Sequence, residues 1–253
     1  MTFCRKNTRL GERLVTTETP EYGQEGTRAS PAQKVAQLQC IYTNARSMGN
    51  KQEELEATVL EGNYDVAAIT ETWWDDSHDW SVAVDGYKLF RRDRRGRRGG
   101  GVALYVRKWI DCEELCLRNS HDQVESLWLK IKDRSSKGHP VAGVCYRPPD
   151  QGESVDEAFL LQLQELLHSQ ALVLMGDFNH PGICWGSGTV GSRQSKRFLE
   201  SVEDNFLVQV IDGPTRGEAL LDLVLSNVEE SIREIKTAGY LGCSDYALVE
   251  LWS

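Results

Sequence analysis

The chain has 253 residues, of which 40% are hydrophobic and 26% are charged, and this composition is typical of a globular protein. No apolar run reaches the roughly eighteen residues of a membrane-spanning helix, and the N-terminal residues lack the apolar core of a secretory signal. A net charge of −9 argues against broad nonspecific binding of nucleic acid, but clustered carboxylates are what a divalent-metal site requires.

The cysteines do not predict a disulfide framework or a zinc site. They number seven and are scattered along the chain. Only Cys112 and Cys116 lie close together, and no pair of Cys or His completes a zinc site around them. We interpret them as reduced, mostly buried thiols of an intracellular protein.

The N-terminal segment differs in composition from the rest of the chain. Residues 1–36 are rich in Thr, Glu, Gly, Ser and Pro and are predicted to be a disordered tail. The remaining residues, 37–253, are predicted to form one domain. Apolar and β-prone residues over 35–43 predict its first strand.

A strand–helix–strand unit opens the domain. Residues 51–60 place leucine and valine on one helical face, with Asn50 as the candidate N-cap. Val66–Thr70 is a short apolar strand that follows the helix. Two strands joined by a helix are typical of α/β architecture.

The middle of the chain contains strands with no helix between them. Consecutive strands of this kind pair as antiparallel ladders. They are predicted over 87–91, 102–106, 124–132 and 141–146.

Helices and strands alternate again towards the C-terminus. Residues 154–168 give the clearest helical pattern, with Ser154 and Glu157 as a capping box. A further helix is predicted over 192–204, and further strands over 172–175, 220–225 and 247–252. The mixture predicts an α/β fold of two packed sheets with helices outside.

Polar residues interrupt or follow the apolar strands at several points. Asn, Asp and Gly at such positions are ordinary turn residues, so each position alone has a structural alternative to a functional role. In a sandwich, however, strand ends can converge on one rim. The positions concerned are Asn44, Glu71, Tyr146, Asp177, Asn179, Asp222, Ser244 and Asp245.

Two parts of this set carry a more specific signal. Asp177 and Asn179 are two residues apart, so in an extended chain their side chains share a face and can position a water and a phosphate oxygen. Asp222 is flanked by leucines. A buried carboxylate is costly unless it is paired, which favours a role for Asp222 beyond solvation.

Six motifs occur in the order and spacing of one known family. From about residue 38 to residue 252, the chain resembles the apurinic/apyrimidinic-type endonuclease domain of LINE (non-LTR) retrotransposons, in the endonuclease/exonuclease/phosphatase superfamily. Any one motif is weak, whereas the set is highly specific. The motifs are Thr43-Asn44-Ala45-Arg46-Ser47, Thr70-Glu71-Thr72-Trp73, Arg98-Gly99-Gly100-Gly101-Val102-Ala103, Tyr146-Arg147-Pro148-Pro149, Gly176-Asp177-Phe178-Asn179 and Ser244-Asp245.

The resemblance implies a four-layer α/β/β/α sandwich that nicks DNA with Mg²⁺, for which Mn²⁺ could substitute. It implies that Glu71 is the metal ligand, with Asn44 beside it. Asp177 would orient or deprotonate the attacking water, while Asn179 and Tyr146 would contact the phosphate and the transition state. These roles agree with the chemistry, because attack on a phosphodiester builds negative charge that a metal and preorganised donors stabilise.

The resemblance also assigns the last motif and the substrate contacts. Asp222 would orient the histidine of the last motif, to which Asp245 belongs. DNA is the implied partner, without a membrane or a small-molecule cofactor, and DNA as substrate implies a nuclear location. The implied DNA contacts are Arg46, Arg147, Thr215 and Ser244.

A run of six arginines within residues 91–98 has two interpretations. The side chains could contact the DNA backbone and position the duplex without reading its sequence. Alternatively, the run could be a solvated hairpin loop. The arginines are Arg91, Arg92, Arg94, Arg95, Arg97 and Arg98.

The chain departs from the family at one catalytic position. The family pattern ends in Ser-Asp-His, whereas this chain has Ser244-Asp245-Tyr246. A tyrosine, with a pKa near 10, can donate one hydrogen bond but carries no positive charge at pH 7. Losing one charge-stabilising donor costs roughly 10²–10³ in rate, so we expect weak or absent nuclease activity. None of the five histidines is an obvious substitute.

Three functions stay open at this level. The first is a DNA endonuclease domain, weakened at Tyr246. The second is a noncatalytic nucleic-acid-binding or interaction module of the same fold, which Tyr246 and the net charge of −9 favour modestly. The third is a phosphomonoesterase or phosphoinositide phosphatase, against which the motifs at 43–47 and 146–149 argue. Because whole elements continue into a reverse transcriptase, the resemblance implies a fragment or a degenerate, host-retained copy.

Overall fold

The computed structural model describes residues 38–79, 81–132, 139–167, 171–228 and 232–252. The chain divides into two units, residues 1–33 and 34–253, and every described residue belongs to the second. The predicted tail, residues 1–36, lies outside the described residues. No helix in the described ranges is long and apolar enough to cross a membrane.

The predicted helices and strands occur in the order that the sequence pattern predicts, together with five strands that were not predicted. The first half contains β1 (Gln39–Asn44), α1 (Gln52–Glu61), β2 (Val66–Thr70), β3 (Tyr87–Arg92), β4 (Val102–Arg107), β5 (Cys112–Glu114), β6 (Glu125–Ile131) and β7 (Val141–Tyr146). The second half contains α2 (Glu153–Leu167), β8 (Leu172–Asp177), β9 (Ile183–Cys184), β10 (Thr189–Val190), α3 (Arg193–Asp204), β11 (Val208–Gln209), β12 (Asp222–Ser226), β13 (Glu234–Tyr240) and β14 (Ala247–Trp252).

Two six-stranded mixed sheets form the body of the domain. The first has the order β13-β14-β1-β2-β4-β3 and the second the order β11-β12-β8-β7-β6-β5, while β9 and β10 form a small hairpin. Each large sheet contains one parallel pair joined through a helix, β1 with β2 through α1 and β7 with β8 through α2. The other neighbours are antiparallel, as the sequence predicted for consecutive strands.

The sheets stack face to face with helices on both outer faces. Successive side chains of a strand point to opposite faces, so in β2 Val66 and Ala68 enter the core between the sheets, while Ala67 and Ile69 pack with Leu55 of α1. On the far side, α2 and α3 cover the second sheet. The predicted four-layer α/β/β/α sandwich is therefore confirmed.

Both predicted helix caps, Asn50 and the Ser154–Glu157 capping box, are wrong. Helix α1 is preceded by Lys51, not Asn50, and no side chain caps it. Helix α2 begins at Glu153, which places Ser154 inside the first turn, and the Gly152 carbonyl accepts the amide hydrogen bonds instead. Ser192, which was not predicted as a cap, does cap α3, because its hydroxyl accepts from the Ser195 amide at 3.0 Å.

Strand β13 was missed because its sequence lacks a clear alternation. It lies at a sheet edge beside β14, and most of its side chains are exposed or half-buried. An edge strand packs only lightly against the core, so its sequence carries little apolar pattern. The six cysteines within the described ranges are free thiols, but only Cys40 and Cys145 are buried, so the expectation that most of them are buried was wrong.

Candidate active site

The strand ends that carry the predicted residues meet at one rim of the sandwich. Asn44 ends β1, Tyr146 ends β7 and Asp177 ends β8, while Glu71 directly follows β2. Asp222 opens the antiparallel β12, in register with Asp177. The two sheets thus contribute neighbouring side chains at the seam between them.

One amide joins the two sheets at the centre of this rim. The Asn44 Nδ2 donates to Glu71 Oε1 at 2.9 Å and to Asp177 Oδ2 at 2.8 Å. Its Oδ1 accepts from the Arg46 backbone amide at 2.9 Å, so the direction of the side chain is fixed. Asn44 therefore holds two carboxylates on either side of the seam.

The backbone that presents Glu71 is in an uncommon conformation. Glu71 has φ 53° and Trp73 has φ 59°, values that non-glycine residues rarely adopt. Hydrogen bonds from the Ser47 amide to the Glu71 carbonyl and from the Trp73 amide to the Gly100 carbonyl hold the loop. Such conformations persist where the surroundings over-determine them, which is common at functional sites.

Asp177 lies in a strongly acidic and buried environment. Burial, followed by the nearby Asp222 and Glu71 carboxylates, raises the pKa of Asp177 well above its usual range. The Asn179 amide and the Asn44 side chain donate hydrogen bonds to Asp177 and partly offset this shift. A carboxylate with a raised pKa is a stronger proton acceptor than an ordinary aspartate.

Asn179 does not share a strand face with Asp177, so the extended-chain argument was wrong. Strand β8 ends at Asp177, and Asn179 has a left-handed φ of 46°. Its side chain instead donates to the Arg147 carbonyl at 2.9 Å. Asn179 thereby joins the loops that follow β7 and β8.

Asp222 is fully buried and is held by a tyrosine from the opposite sheet. The Tyr42 hydroxyl donates to Asp222 Oδ1 at 2.5 Å, and the Asp222 amide donates to Thr215 Oγ1 at 3.0 Å. The Asp222 Oδ2 has no hydrogen-bond partner among the described residues. Burial raises the pKa of Asp222 to about 7.

Tyr146 is oriented from the arginine-rich segment. The Arg94 guanidinium lies 5.4 Å from the centre of the Tyr146 ring and donates from Nε to Glu125 Oε1 at 2.6 Å. Glu125 also accepts from the Gly101 amide at 2.6 Å, which ties the glycine segment to β6. Burial, and then the Glu71 and Asp177 carboxylates, raise the pKa of Tyr146, so its hydroxyl remains protonated and close to the acidic centre.

Tyr246, which follows the Ser244-Asp245 motif, is almost fully buried beside an arginine. The Arg216 Nη1 donates to the Tyr246 hydroxyl at 3.1 Å, and the Arg216 guanidinium lies 4.8 Å from the Tyr246 ring centre. Asp245 accepts from Arg216 Nε at 2.9 Å and from Arg46 Nη1 at 3.2 Å. Within the described ranges no hydrogen bond joins Asp222 to Tyr246, so orientation of residue 246 by Asp222 stays a prediction.

The predicted DNA contacts fall into two groups. Arg46 is half-exposed at the rim. Arg147, Thr215 and Ser244 are buried. Arg147 pairs with Asp156 beneath the rim. Ser244 donates to the Asn44 carbonyl at 2.7 Å. These contacts fix loops around the site, and direct contact with DNA stays a prediction for all four residues.

The arginine run is likewise divided. Arg94 forms the buried pair with Glu125, Arg91 pairs with Asp79 and Asp93, and Arg92 donates to the His121 carbonyl. The other members are exposed: Arg95, Arg97 and Arg98. The run is therefore partly a structural clamp and partly a solvated loop.

The donor set at the rim fits a magnesium ion. Among the described residues no three His, Cys, Asp or Glu side chains cluster as a closed metal-binding group. Mg²⁺ does not need one, because it is usually bound through one or two carboxylates together with waters and substrate phosphates. Glu71 accepts one hydrogen bond on each oxygen, from Asn44 and from Trp73, and keeps further lone pairs for a cation. Asn44 turns its nitrogen, not its oxygen, towards Glu71.

Several side chains that shape this site carry little signal in the sequence. Tyr42 resembles an ordinary core aromatic, and its bond to Asp222 spans 180 positions. Arg216 follows Thr215 in an irregular segment, and Glu125 lies inside an apolar strand, and neither was predicted to belong to the site. A charged residue inside an apolar strand is the signal that could have singled out Glu125.

Solved structures with the same architecture include several enzymes. The endonuclease domain of TRAS1, a telomere-specific non-LTR retrotransposon, superimposes with a TM-score of 0.67 at 15% identity, covering 85% of this chain and 97% of that one. The AP endonuclease LMAP from Leishmania major has a TM-score of 0.67 at 14% identity, covering 85% and 87%. The 3′ phosphatase NExo from Neisseria, bound to a product DNA hairpin, has a TM-score of 0.66 at 13% identity, covering 85% and 98%.

At these identities the structural likeness concerns the fold. A comparison with curated protein sequences finds no match. The sequence profile of the endonuclease/exonuclease/phosphatase family, however, matches residues 37–228, most of the chain. This chain therefore belongs to the endonuclease/exonuclease/phosphatase family.

Proposed function

We propose that this domain is a magnesium-dependent DNA endonuclease of the retrotransposon type, with turnover weakened by Tyr246. The observation that carries the proposal is the Asn44 amide, which holds Glu71 and Asp177 on either side of the seam. This arrangement offers one carboxylate to a cation and a second, more basic one to a water. A retrotransposon endonuclease domain and an enzyme bound to a DNA product share the fold, which supports DNA as the substrate.

The chain's own residues divide the work in this proposal. Glu71 would hold Mg²⁺, or Mn²⁺ in its place, and the ion would supply Lewis-acid stabilisation of the phosphate charge. Asp177 orients the attacking water and accepts its proton, because burial and neighbouring carboxylates raise its pKa. Tyr146 donates a hydrogen bond from its protonated hydroxyl. Asn44 keeps the two carboxylates apart and aligned.

Tyr246 is the reason to expect weak turnover. Burial, and then the Asp177 carboxylate, raise the pKa of Tyr246, so the phenol is neutral and offers a hydrogen bond without a charge of its own. The departure from histidine costs roughly 10²–10³ in rate if one charge-stabilising donor is lost.

A second candidate is a noncatalytic nucleic-acid-binding module of the same fold. The neutral and almost fully buried Tyr246 favours it. The chain's net charge of −9 gives no general electrostatic attraction to DNA, so such a module would bind through local contacts at the rim.

Nicking of supercoiled plasmid in Mg²⁺ separates the two candidates. We would compare the unaltered protein with Tyr246→His and Glu71→Ala. Glu53→Ala is the matched control, because it removes an exposed carboxylate from α1. We expect slow nicking by the unaltered protein and by Glu53→Ala, none by Glu71→Ala, and about 10²-fold faster nicking by Tyr246→His.

The opposite results identify which candidate fails. If Glu71→Ala nicks as fast as the unaltered protein, the assignment of Glu71 is wrong. If neither the unaltered protein nor Tyr246→His nicks, although both fold and bind duplex DNA in a salt-dependent manner, the noncatalytic module is the better account.

A further inference from the structure

The hydroxyl of Tyr246 has one hydrogen-bond partner among the described residues. It accepts from Arg216 Nη1 at 3.1 Å, so its own proton is not committed within that part of the chain. The Tyr246 ring is almost fully buried, with 2% of its surface exposed, and is covered on one face by the Arg216 guanidinium. A phenol that accepts a bond from a cation and retains its proton is polarised as a donor.

Arg216 is fixed on both its backbone and its side chain. The Arg216 amide donates to the Ala219 carbonyl at 3.0 Å, and the Ala247 amide donates to the Thr215 carbonyl at 2.9 Å, which ties this turn to the start of β14. The guanidinium donates from Nε to Asp245, which also accepts from Arg46. The positive charge therefore has a defined position behind the tyrosine.

The pair lies beside the acidic centre. Asp177, Asp222 and Glu71 all act electrostatically on Tyr246, and Asp177 acts on Arg216 as well. The Tyr246 amide donates to Ser244 Oγ, which in turn donates to the Asn44 carbonyl at 2.7 Å. Two hydrogen bonds thus connect the backbone of residue 246 to the residue that separates the two carboxylates.

We propose that Arg216 and Tyr246 form one phosphate-stabilising unit, in which Tyr246 donates a hydrogen bond to a nonbridging phosphate oxygen and Arg216 is the positioning residue that supplies the charge behind it. A protonated histidine would combine a donor and a positive charge in one ring, whereas this chain divides them between two side chains. Arginine keeps its charge at every working pH, and charge-assisted hydrogen bonds are stronger than neutral ones. The inference rests on the proposed function and accounts for the turnover that remains.

A double-mutant cycle tests whether Arg216 acts through Tyr246. We would measure kcat/KM for nicking, and the affinity for a short duplex in EDTA at low salt, with Tyr246→Phe, Arg216→Gln and the double variant. Each single change should lower kcat/KM about 10-fold and weaken binding by a smaller factor. The double variant should fall no more than about 2-fold below Tyr246→Phe, because the two losses are one interaction.

Arg46→Gln is the matched control for this cycle. Arg46 also contacts Asp245 but has no contact with Tyr246. Its effect should therefore be the same in the unaltered and Tyr246→Phe backgrounds. Arg216→Lys, which keeps the charge but loses the two-pronged geometry, should recover part of the loss seen with Arg216→Gln.

The outcomes separate this inference from the proposed function. If Arg216→Gln lowers kcat/KM by the same factor in the unaltered and Tyr246→Phe backgrounds, Arg216 only supports the loop. This result would overturn the inference, while nicking by the unaltered protein would still support the proposed function. If no variant nicks, including Tyr246→His, the proposed function fails. The double-mutant cycle of duplex affinity in EDTA then still tests the inference. Non-additive losses of affinity support an Arg216–Tyr246 unit, and unchanged affinity overturns it.

Discussion

The candidate site has two halves that are built differently. The acidic half consists of Asn44, Glu71 and Asp177, which end or directly follow the central strands β1, β2 and β8. The arginine half consists of Arg216, Asp245 and Tyr246, which lie in loops before β12 and β14. Asn44 and Asp177 are buried, as is Tyr246, whereas the Arg216 and Asp245 side chains are 37% and 41% exposed.

The difference shows where this fold tolerates change. Any displacement in the acidic half moves strands that are paired in register, such as Asn44 with Thr70 and Asp222 with Asp177. In the arginine half, Tyr246 is held through its backbone, because its amide donates to Ser244 Oγ, which in turn donates to the Asn44 carbonyl. A change of the side chain at residue 246 leaves these backbone contacts available, so we expect it to alter the charge at the rim without displacing Glu71 and Asp177.

The largest effect should come from Asp177→Asn in the acidic half. This change removes the proposed proton acceptor, so we expect kcat/KM for nicking to fall by about 10²–10⁴. The corresponding change in the arginine half, Asp245→Asn, removes partly exposed ion pairs with Arg46 and Arg216 and should cost no more than about 10-fold. Steady-state nicking rates on one plasmid measure both.

Folding of each variant is checked by its far-UV spectrum and Tm. Equal losses from Asp177→Asn and Asp245→Asn, in proteins that are both folded, would contradict the division into two halves. A larger loss from Asp245→Asn would reverse it.

A pH-dependent loss of stability is expected from Tyr42→Phe. The pKa of Asp222 is about 7 in the folded chain and about 4 when unfolded. Because the pKa of Asp222 is higher in the folded chain, its protonation contributes to the free energy of unfolding. This contribution is complete below about pH 4 and is lost as pH rises through 7. Removing the Tyr42 hydroxyl should cost about 1 kcal/mol at pH 5, where Asp222 is protonated, and about 2–3 kcal/mol at pH 8.5, where it is charged.

Urea unfolding without metal at the two pH values measures this difference. Tyr105→Phe is the matched control, since Tyr105 is equally buried in the first sheet and donates to the Val82 carbonyl, which does not titrate. Its loss should be the same at both pH values. A loss from Tyr42→Phe that is independent of pH would show that Asp222 does not ionise in this range.

Much of the fold and the position of the site could be predicted from local pattern. The strands Val66–Thr70 and Val141–Tyr146 have the predicted bounds, because both are short apolar runs bounded by polar residues. The convergence of Asn44, Glu71 and Asp177 follows from polar residues at the ends of strands that lie side by side. These features depend on short stretches of sequence.

The remaining features depend on contacts distant in sequence or on backbone conformation. Asn179 adopts a left-handed φ that spacing alone does not reveal, so its side chain points to the Arg147 carbonyl. Arg216 contacts Tyr246, which is 30 positions away. Neither the Arg147 carbonyl nor Arg216 can be identified as a contact until the order of the strands in the sheets is known. For this reason the positive charge beside residue 246 was not predicted.

The smallest expected effect concerns Arg46, which reaches the arginine half from the loop after β1. Its side chain is 53% exposed, so it can meet a phosphate while it remains paired with Asp245. Arg46→Gln should reduce the slope of log affinity against log salt by about 1 and weaken duplex binding uniformly across sequences. Lys108→Gln removes the same charge at the opposite end of β4 from the rim, where Thr70 pairs with Val102. It should leave this slope unchanged. An equal change in both variants would mean that net charge, and not a contact at the rim, sets the salt dependence, and the arginine half would then lose its assigned place beside the DNA.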